Sequence, residues 1–163
     1  MKDVPRIMST VGGVVLKDDS ILYVKQTYGR LADMWTLPWG LIEGQGDRRE
    51  KIDFPEAAAV REVLEEGNVD VSVRGLISFQ NCVSQSGQYM LIFVFLCDYI
   101  GGTPKPDDRE TSDAQFFCLD EIERIEGECD SYCHWMGKRV LQNQYTLLEP
   151  MTENPYSPLV GFY

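Results

Sequence analysis

The chain is short of positive charge. Fifteen Lys and Arg stand against twenty-six Asp and Glu, a formal net charge of −11. That balance argues against electrostatic capture of a nucleic acid polymer or an anionic membrane surface. No apolar run approaches the ~18 residues a membrane-spanning helix needs. The longest, YMLIFVFLC, has strand length and is rich in β-branched and aromatic residues. The opening MKDVPRIMS lacks the apolar core of a signal peptide, so a cytoplasmic location is the default expectation. Five cysteines (Cys82, Cys97, Cys118, Cys129, Cys133) form an odd set without disulfide-like spacing, which suits a reducing compartment. CDSYCH has no second ligand cluster to complete a tetrahedral metal site, so Cys129 and Cys133 read as structural cysteines on a helix. His134, the one histidine, reads as a helix-surface residue.

What is present suits one α+β domain over residues 1–163. TVGGVVLKDDSILYVKQT reads as two strands joined at the acidic turn Lys17–Ser20. VSVRGLISFQNCV and GQYMLIFVFLCDYI read as two longer strands around SQSG, and AQFFCLD as a short one. LDEIERI suits a short helix, and DSYCHWMGKRVLQNQY a longer terminal one with apolar spacing at Cys133, Met136, Val140 and Leu141. The proline-bearing tail, residues 147–163, reads as irregular.

One stretch stands apart. In AAAVREVLEEGNV, Glu62, Glu65 and Glu66 fall within an arc of roughly 100° on a helix, although like charges at this spacing repel. Ala57, Val60, Val63 and Leu64 fall on the opposite side, so the wheel predicts a carboxylate face turned away from an apolar one. Three gathered carboxylates call for a cation. Pro55 suits the first turn, Asp53 is a candidate cap, and Gly67–Asn68 suit the end.

Residues Gly40 to Val69 resemble the Nudix box, G-x5-E-x7-R-E-U-x-E-E-x-G-U, where U is aliphatic. Arg61, Glu62, Val63, Glu65, Glu66 and Val69 stand in register, and Asp53 occupies the place of the first glutamate. WTLPWG resembles the lead-in to the box, and AQFFCLDEI the aromatic strand and acidic helix start that follow later. The resemblance implies a mixed β-sheet sandwiched between helices, and Mg²⁺- or Mn²⁺-dependent hydrolysis of a nucleoside diphosphate linked to another moiety. It implies Glu65 and Glu66 as metal ligands, the Gly40 carbonyl as an additional one, and Glu62 as a ligand or water-orienting group. Arg61 then holds the carboxylates in catalytic position, with Asp53 as its expected partner. The family's general base often lies on a later loop, where Glu110 is the candidate and Asp107, Asp108 and Glu62 are the competitors.

Three departures stand out. Twelve residues separate Gly40 from Asp53 where the pattern has five, an insertion of seven that leaves Glu43, Asp47 and Glu50 able to approach the metal. Asn68 replaces the final glycine, and it too tolerates positive φ. Trp39 replaces a glycine beside Gly40 and puts a ring near the site. Trp35, Trp39, Tyr28 and Phe79 are candidates for stacking a base. The expected partner is a small nucleotide derivative, with a homodimer compatible with the terminal helix and aromatic tail. Against the hydrolase stands a Nudix-like module that binds or senses a nucleotide without turnover, since the insertion or Trp39 could misplace the water.

Overall fold

The computed structural model describes residues 7–42, 53–84, 87–151, 153 and 161–162. Glu43, Asp47 and Glu50 lie outside the described residues. The elements run β1 (Met8–Lys17), β2 (Ser20–Gln26), β3 (Trp35–Thr36), β4 (Trp39–Leu41), α1 (Pro55–Gly67), β5 (Val69–Val83), β6 (Tyr89–Gly102), β7 (Thr111–Cys118), α2 (Leu119–Arg124), α3 (Ser131–Leu141), β8 (Pro150–Met151) and β9 (Gly161–Phe162). The five longer strands are those expected from the turn-bounded apolar stretches. The two-residue β3 and three-residue β4 are too short to show a period of two.

Seven strands form one mixed sheet in the order β3-β2-β1-β6-β5, with β4 paired to β1 and β7 to β2. The central β1–β6 pair is parallel over Met8–Leu16, while β5 and β6 form a long antiparallel ribbon at one edge. Helices cover both faces. Ala58, Ala59 and Val63 of α1 pack on Val11, Val15, Leu22 and Phe95, and Cys133, Met136 and Val140 of α3 pack with Val14, Tyr23, Leu96 and Phe117 on the other side. Adjacent glycines on β1 permit both approaches. A Cβ on Gly13 would meet Val63 at 2.5 Å, and one on Gly12 would meet the Trp39 ring at 2.4 Å.

Helix α1 begins after Phe54, with Pro55 in its first turn, and Asp53 does not cap it. It ends at Asn68, left-handed at φ 55°, whose N–H bonds the Leu64 carbonyl and whose side-chain amide donates to Thr103 O at 2.9 Å. Asp130 caps α3 by accepting from the Tyr132 and Cys133 amides. His134 is buried rather than on the surface, with its Nε2 3.1 Å from the Ile122 carbonyl. Within the stretch read as an irregular tail, Leu148 exchanges two 2.9 Å backbone hydrogen bonds with Leu76 on β5, and β8 pairs with β9. Among the described residues no helix is long and apolar enough to cross a membrane.

Candidate active site

The helical wheel misplaces the acids of α1. Leu64, assigned to the apolar side, is 48% exposed, whereas Glu62 and Glu66 are only 6% and 3% exposed. The helix rests on the sheet through Ala58, Ala59 and Val63, with Ala57 exposed like Leu64, and its acidic side turns into the crevice beside β4. Gly40 makes that approach possible: a Cβ there would sit 2.0 Å from the Glu62 carboxyl carbon.

Arg61 organises one side of this crevice. Its Nε donates to Asp53 Oδ2 at 3.0 Å, and its Nη1 to Glu62 Oε1 at 2.7 Å and Glu65 Oε2 at 3.0 Å. Its Nη2 donates to the Leu41 carbonyl at 2.9 Å, fastening α1 to β4. Burial pulls on the guanidinium's proton, but Glu62, Asp53 and Glu65 outweigh it and hold Arg61 firmly charged. The expected Arg61–Asp53 pair is therefore present, within a wider four-point grip.

Glu66 is held differently. Its Oε2 accepts from the Trp39 N–H at 2.8 Å and its Oε1 from the Gln26 amide at 3.2 Å, both neutral donors. Burial pushes its carboxyl up to about 8, with the charges of Glu62 and Glu110 adding to the rise. Glu62 is also raised, chiefly by burial, although Arg61 pulls against it.

These donors suit a hard divalent cation, which prefers carboxylate oxygen. Among the described residues no three Asp, Glu, His or Cys side chains are gathered closely enough to enclose an ion alone. An ion held by one or two carboxylates, with water and substrate phosphate completing its shell, fits this arrangement.

The loop before β7 brings Glu110 to the same crevice. Its carbonyl accepts from the Thr27 N–H at 2.9 Å, and its charge acts on the Tyr28 hydroxyl, Glu62 and Glu66. Tyr28, well exposed, has its hydroxyl pushed up by desolvation and then by Glu110, Glu66 and Glu62. Glu110 and Tyr28 thus join the box residues in one place. Asp107 is engaged with its own loop: its Oδ1 accepts the amides of Arg109, Glu110 and Thr111 at 2.8–3.0 Å. Those bonds outweigh its desolvation and hold its carboxyl below the usual range.

The other aromatics part company. Trp35 is a core residue, 5% exposed, edge-on to Phe117 at 4.9 Å, so it has no face for a ligand. Trp39 lends the site its backbone N–H, while its ring leaves for the other side of the sheet, over Gly12 and edge-on to Tyr132 of α3. Phe79 is exposed and lies against Phe93, on the rung Gly40–Val11–Phe93–Phe79. It is three strand spacings, about 14 Å, from Gly40. Gln26 and Thr111, which bond the side chain and the backbone of Glu66, carried no signal in the sequence.

Comparison with known proteins agrees with this architecture. The chain is 28% identical over 116 residues to the ADP-ribose pyrophosphatase of Methanocaldococcus jannaschii, covering 71% of this chain and 64% of that protein. It is 35% identical over 113 residues to the NAD-capped RNA hydrolase NudC of Vibrio atlanticus, covering 69% of this chain but only 38% of that one. The chain thus spans less than two thirds of the length of either relative. Among solved structures, a NUDIX hydrolase from Nitrosomonas europaea superposes with a TM-score of 0.71 at 22% identity, over 88% of this chain and 94% of that one, which establishes the shared fold. The NUDIX domain profile matches residues 6–135, and the chain belongs to that family.

Proposed function

We propose that this chain hydrolyses the pyrophosphate bond of a nucleoside diphosphate derivative, with ADP-ribose as the first candidate substrate. The carrying observation is Glu66: a carboxylate 3% exposed, held only by neutral donors, beside a second buried acid, Glu62. A fold stabilised for its own sake has no use for that desolvated charge, whereas a divalent cation would offset it. Glu66 and Glu62, with Glu65 at the rim and the Gly40 carbonyl near Glu62, would hold Mg²⁺ or Mn²⁺. When bound, the ion screens the pyrophosphate charge and acidifies a nearby water. Arg61 keeps the carboxylates of Glu62 and Glu65 in place, Glu110 accepts the proton of the attacking water, and Tyr28 flanks the entering substrate. The similarity to an ADP-ribose pyrophosphatase supports the choice of substrate.

One observation favours a second reading, nucleotide binding without turnover. Glu62 and Glu65 are both bonded to Arg61, which leaves Glu66 as the one acid of the helix face without a cation beside it. The test is release of AMP from ADP-ribose with Mg²⁺ or Mn²⁺, with and without chelator, in wild type and in Glu66→Gln. Chelator-sensitive release that drops at least ~10²-fold in the variant is the expected result. Tight ADP-ribose binding by calorimetry with no release under any metal would move the assignment to the binding module.

A further inference from the structure

We propose that Asp107 and Thr111 are positioning residues that lock the Glu110 loop to the last turn of α1, setting Glu110 against Glu66. The inference rests on the reading of Glu110 as the proton acceptor and adds to it the device that places this residue.

Glu110 sits in the short loop DDRET, a segment with no helix or strand of its own until β7 begins at Thr111. Such a loop fixes a side chain poorly unless something orders its backbone. Asp107 supplies that order: its Oδ1 accepts from Arg109 N at 3.0 Å, Glu110 N at 2.8 Å and Thr111 N at 2.9 Å. The turn closes further through Asp108, at φ 62°, whose N–H donates to the Thr111 carbonyl.

Thr111 ties this turn to the helix. It is fully buried, its hydroxyl accepts from Asp107 N at 3.1 Å, and its one proton lies between Glu66 O at 3.0 Å and Asp107 Oδ1 at 3.2 Å. The Glu66 carbonyl is in the final turn of α1, where carbonyls lack helical partners and need an outside donor. The circuit closes through β2. Gln26 pairs with Thr111 across the sheet while its amide donates to the Glu66 carboxylate, and the next residue, Thr27, donates its N–H to Glu110 O. Glu66 is therefore gripped at its backbone by Thr111 and at its side chain by Gln26, and the same two segments hold Glu110. Glu110 and Glu66 are thus held by neighbouring residues of the same two segments, Gln26–Thr27 and Asp107–Thr111.

The test compares Asp107→Ala, Asp107→Asn, Thr111→Val and Thr111→Ser with Glu110→Gln, using ADP-ribose and Mg²⁺ as the probe. Amide hydrogen exchange on the metal-free proteins supplies a readout that needs no turnover. Asp107→Ala is expected to lower kcat by about 10–10²-fold with KM within about threefold, and to speed exchange at Arg109, Glu110 and Thr111 by at least ~10-fold. Asp107→Asn, whose amide oxygen can accept the same bonds, is expected to recover most of both. Thr111→Ser should stay near wild type and Thr111→Val should follow Asp107→Ala. Combining Asp107→Ala with Glu110→Gln should cost no more than Glu110→Gln alone. An Asn variant as inactive as Ala would overturn the proposal by making the Asp107 charge itself the requirement. Unchanged exchange in Asp107→Ala would overturn it by showing that the loop is held elsewhere. A fully active Glu110→Gln would remove the base assignment, and faster exchange in Asp107→Ala would then still uphold the lock itself.

Discussion

Arg61 and Glu66 lie five residues apart on α1 and meet the same problem in opposite ways. Around Arg61, Asp53, Glu62 and Glu65 share one guanidinium, so negative charge brought to the crevice is answered in part locally. Around Glu66 there are only dipoles, the Trp39 N–H and the Gln26 amide, and its carboxyl is pushed up to about 8 by burial. The Arg61 side has one cation shared among three carboxylates, whereas the Glu66 side has no cation at all. The site of a cation is read from that difference rather than from the number of acids on the helix.

Gly40 touches both regions, and its substitution is the most damaging way to break the contrast. Gly40→Ala would put a methyl 2.0 Å from the Glu62 carboxyl carbon and would push that carboxylate off its place beside Arg61. A displacement of about 1 Å at such a site costs about 10²-fold in rate, measurable as kcat/KM on ADP-ribose with Mg²⁺. Gly127→Ala, where nothing lies within 4 Å of an added Cβ, should leave activity unchanged. Arg61→Lys attacks one side alone. A lysine can meet one or two of the carboxylates but cannot reproduce the fork that spans Asp53, Glu62, Glu65 and the Leu41 carbonyl. About a tenfold fall in kcat/KM and a loss of about 1–2 kcal/mol in thermal or urea denaturation are expected.

How much of this was legible in the sequence depended on what each signal measured. The apolar stretches TVGGVVLK and MLIFVFLC report burial on a sheet directly, and β1 and β6 form there, paired in parallel. The box was legible too, and Asp53 meets Arg61 at the spacing of eight residues. The helical wheel failed because it equates apolar with buried. Glu62 and Glu66 are buried by the β4 crevice, which exists only once Gly40 is folded beside β1, and Leu64 is turned outward by the same rotation. Trp35 failed for a related reason. Its loop-like neighbourhood conceals a two-residue strand that drives the ring into the core, and nothing local distinguishes it from Trp39. The Glu110 loop was a candidate through the family resemblance, but the bonds of Asp107 depended on where its three neighbouring amides point, which spacing does not encode.

The comparison can be sharpened by removing the unanswered charge without removing its shape. Glu66→Gln keeps an oxygen for the Trp39 N–H, and the Gln26 amide can turn over because Thr36, its other partner, has a hydroxyl that donates as well as accepts. The sign of the effect follows from the raised carboxyl. Folding favours the protonated form, so its contribution is fully present below the ordinary value of 4.5 and is lost as pH rises towards about 8. In chelator, wild type should therefore lose stability over that window, and Glu66→Gln should lose less. The variant's advantage at pH 8 should be on the order of 1–2 kcal/mol, shrinking towards zero near pH 5, followed by thermal denaturation. Glu65→Gln should show no such gain, because the Glu65 side chain is 57% exposed and already meets Arg61. Adding Mg²⁺ at pH 8 should reverse the order, stabilising wild type above Glu66→Gln, since only wild type keeps the carboxylate whose burial the ion offsets.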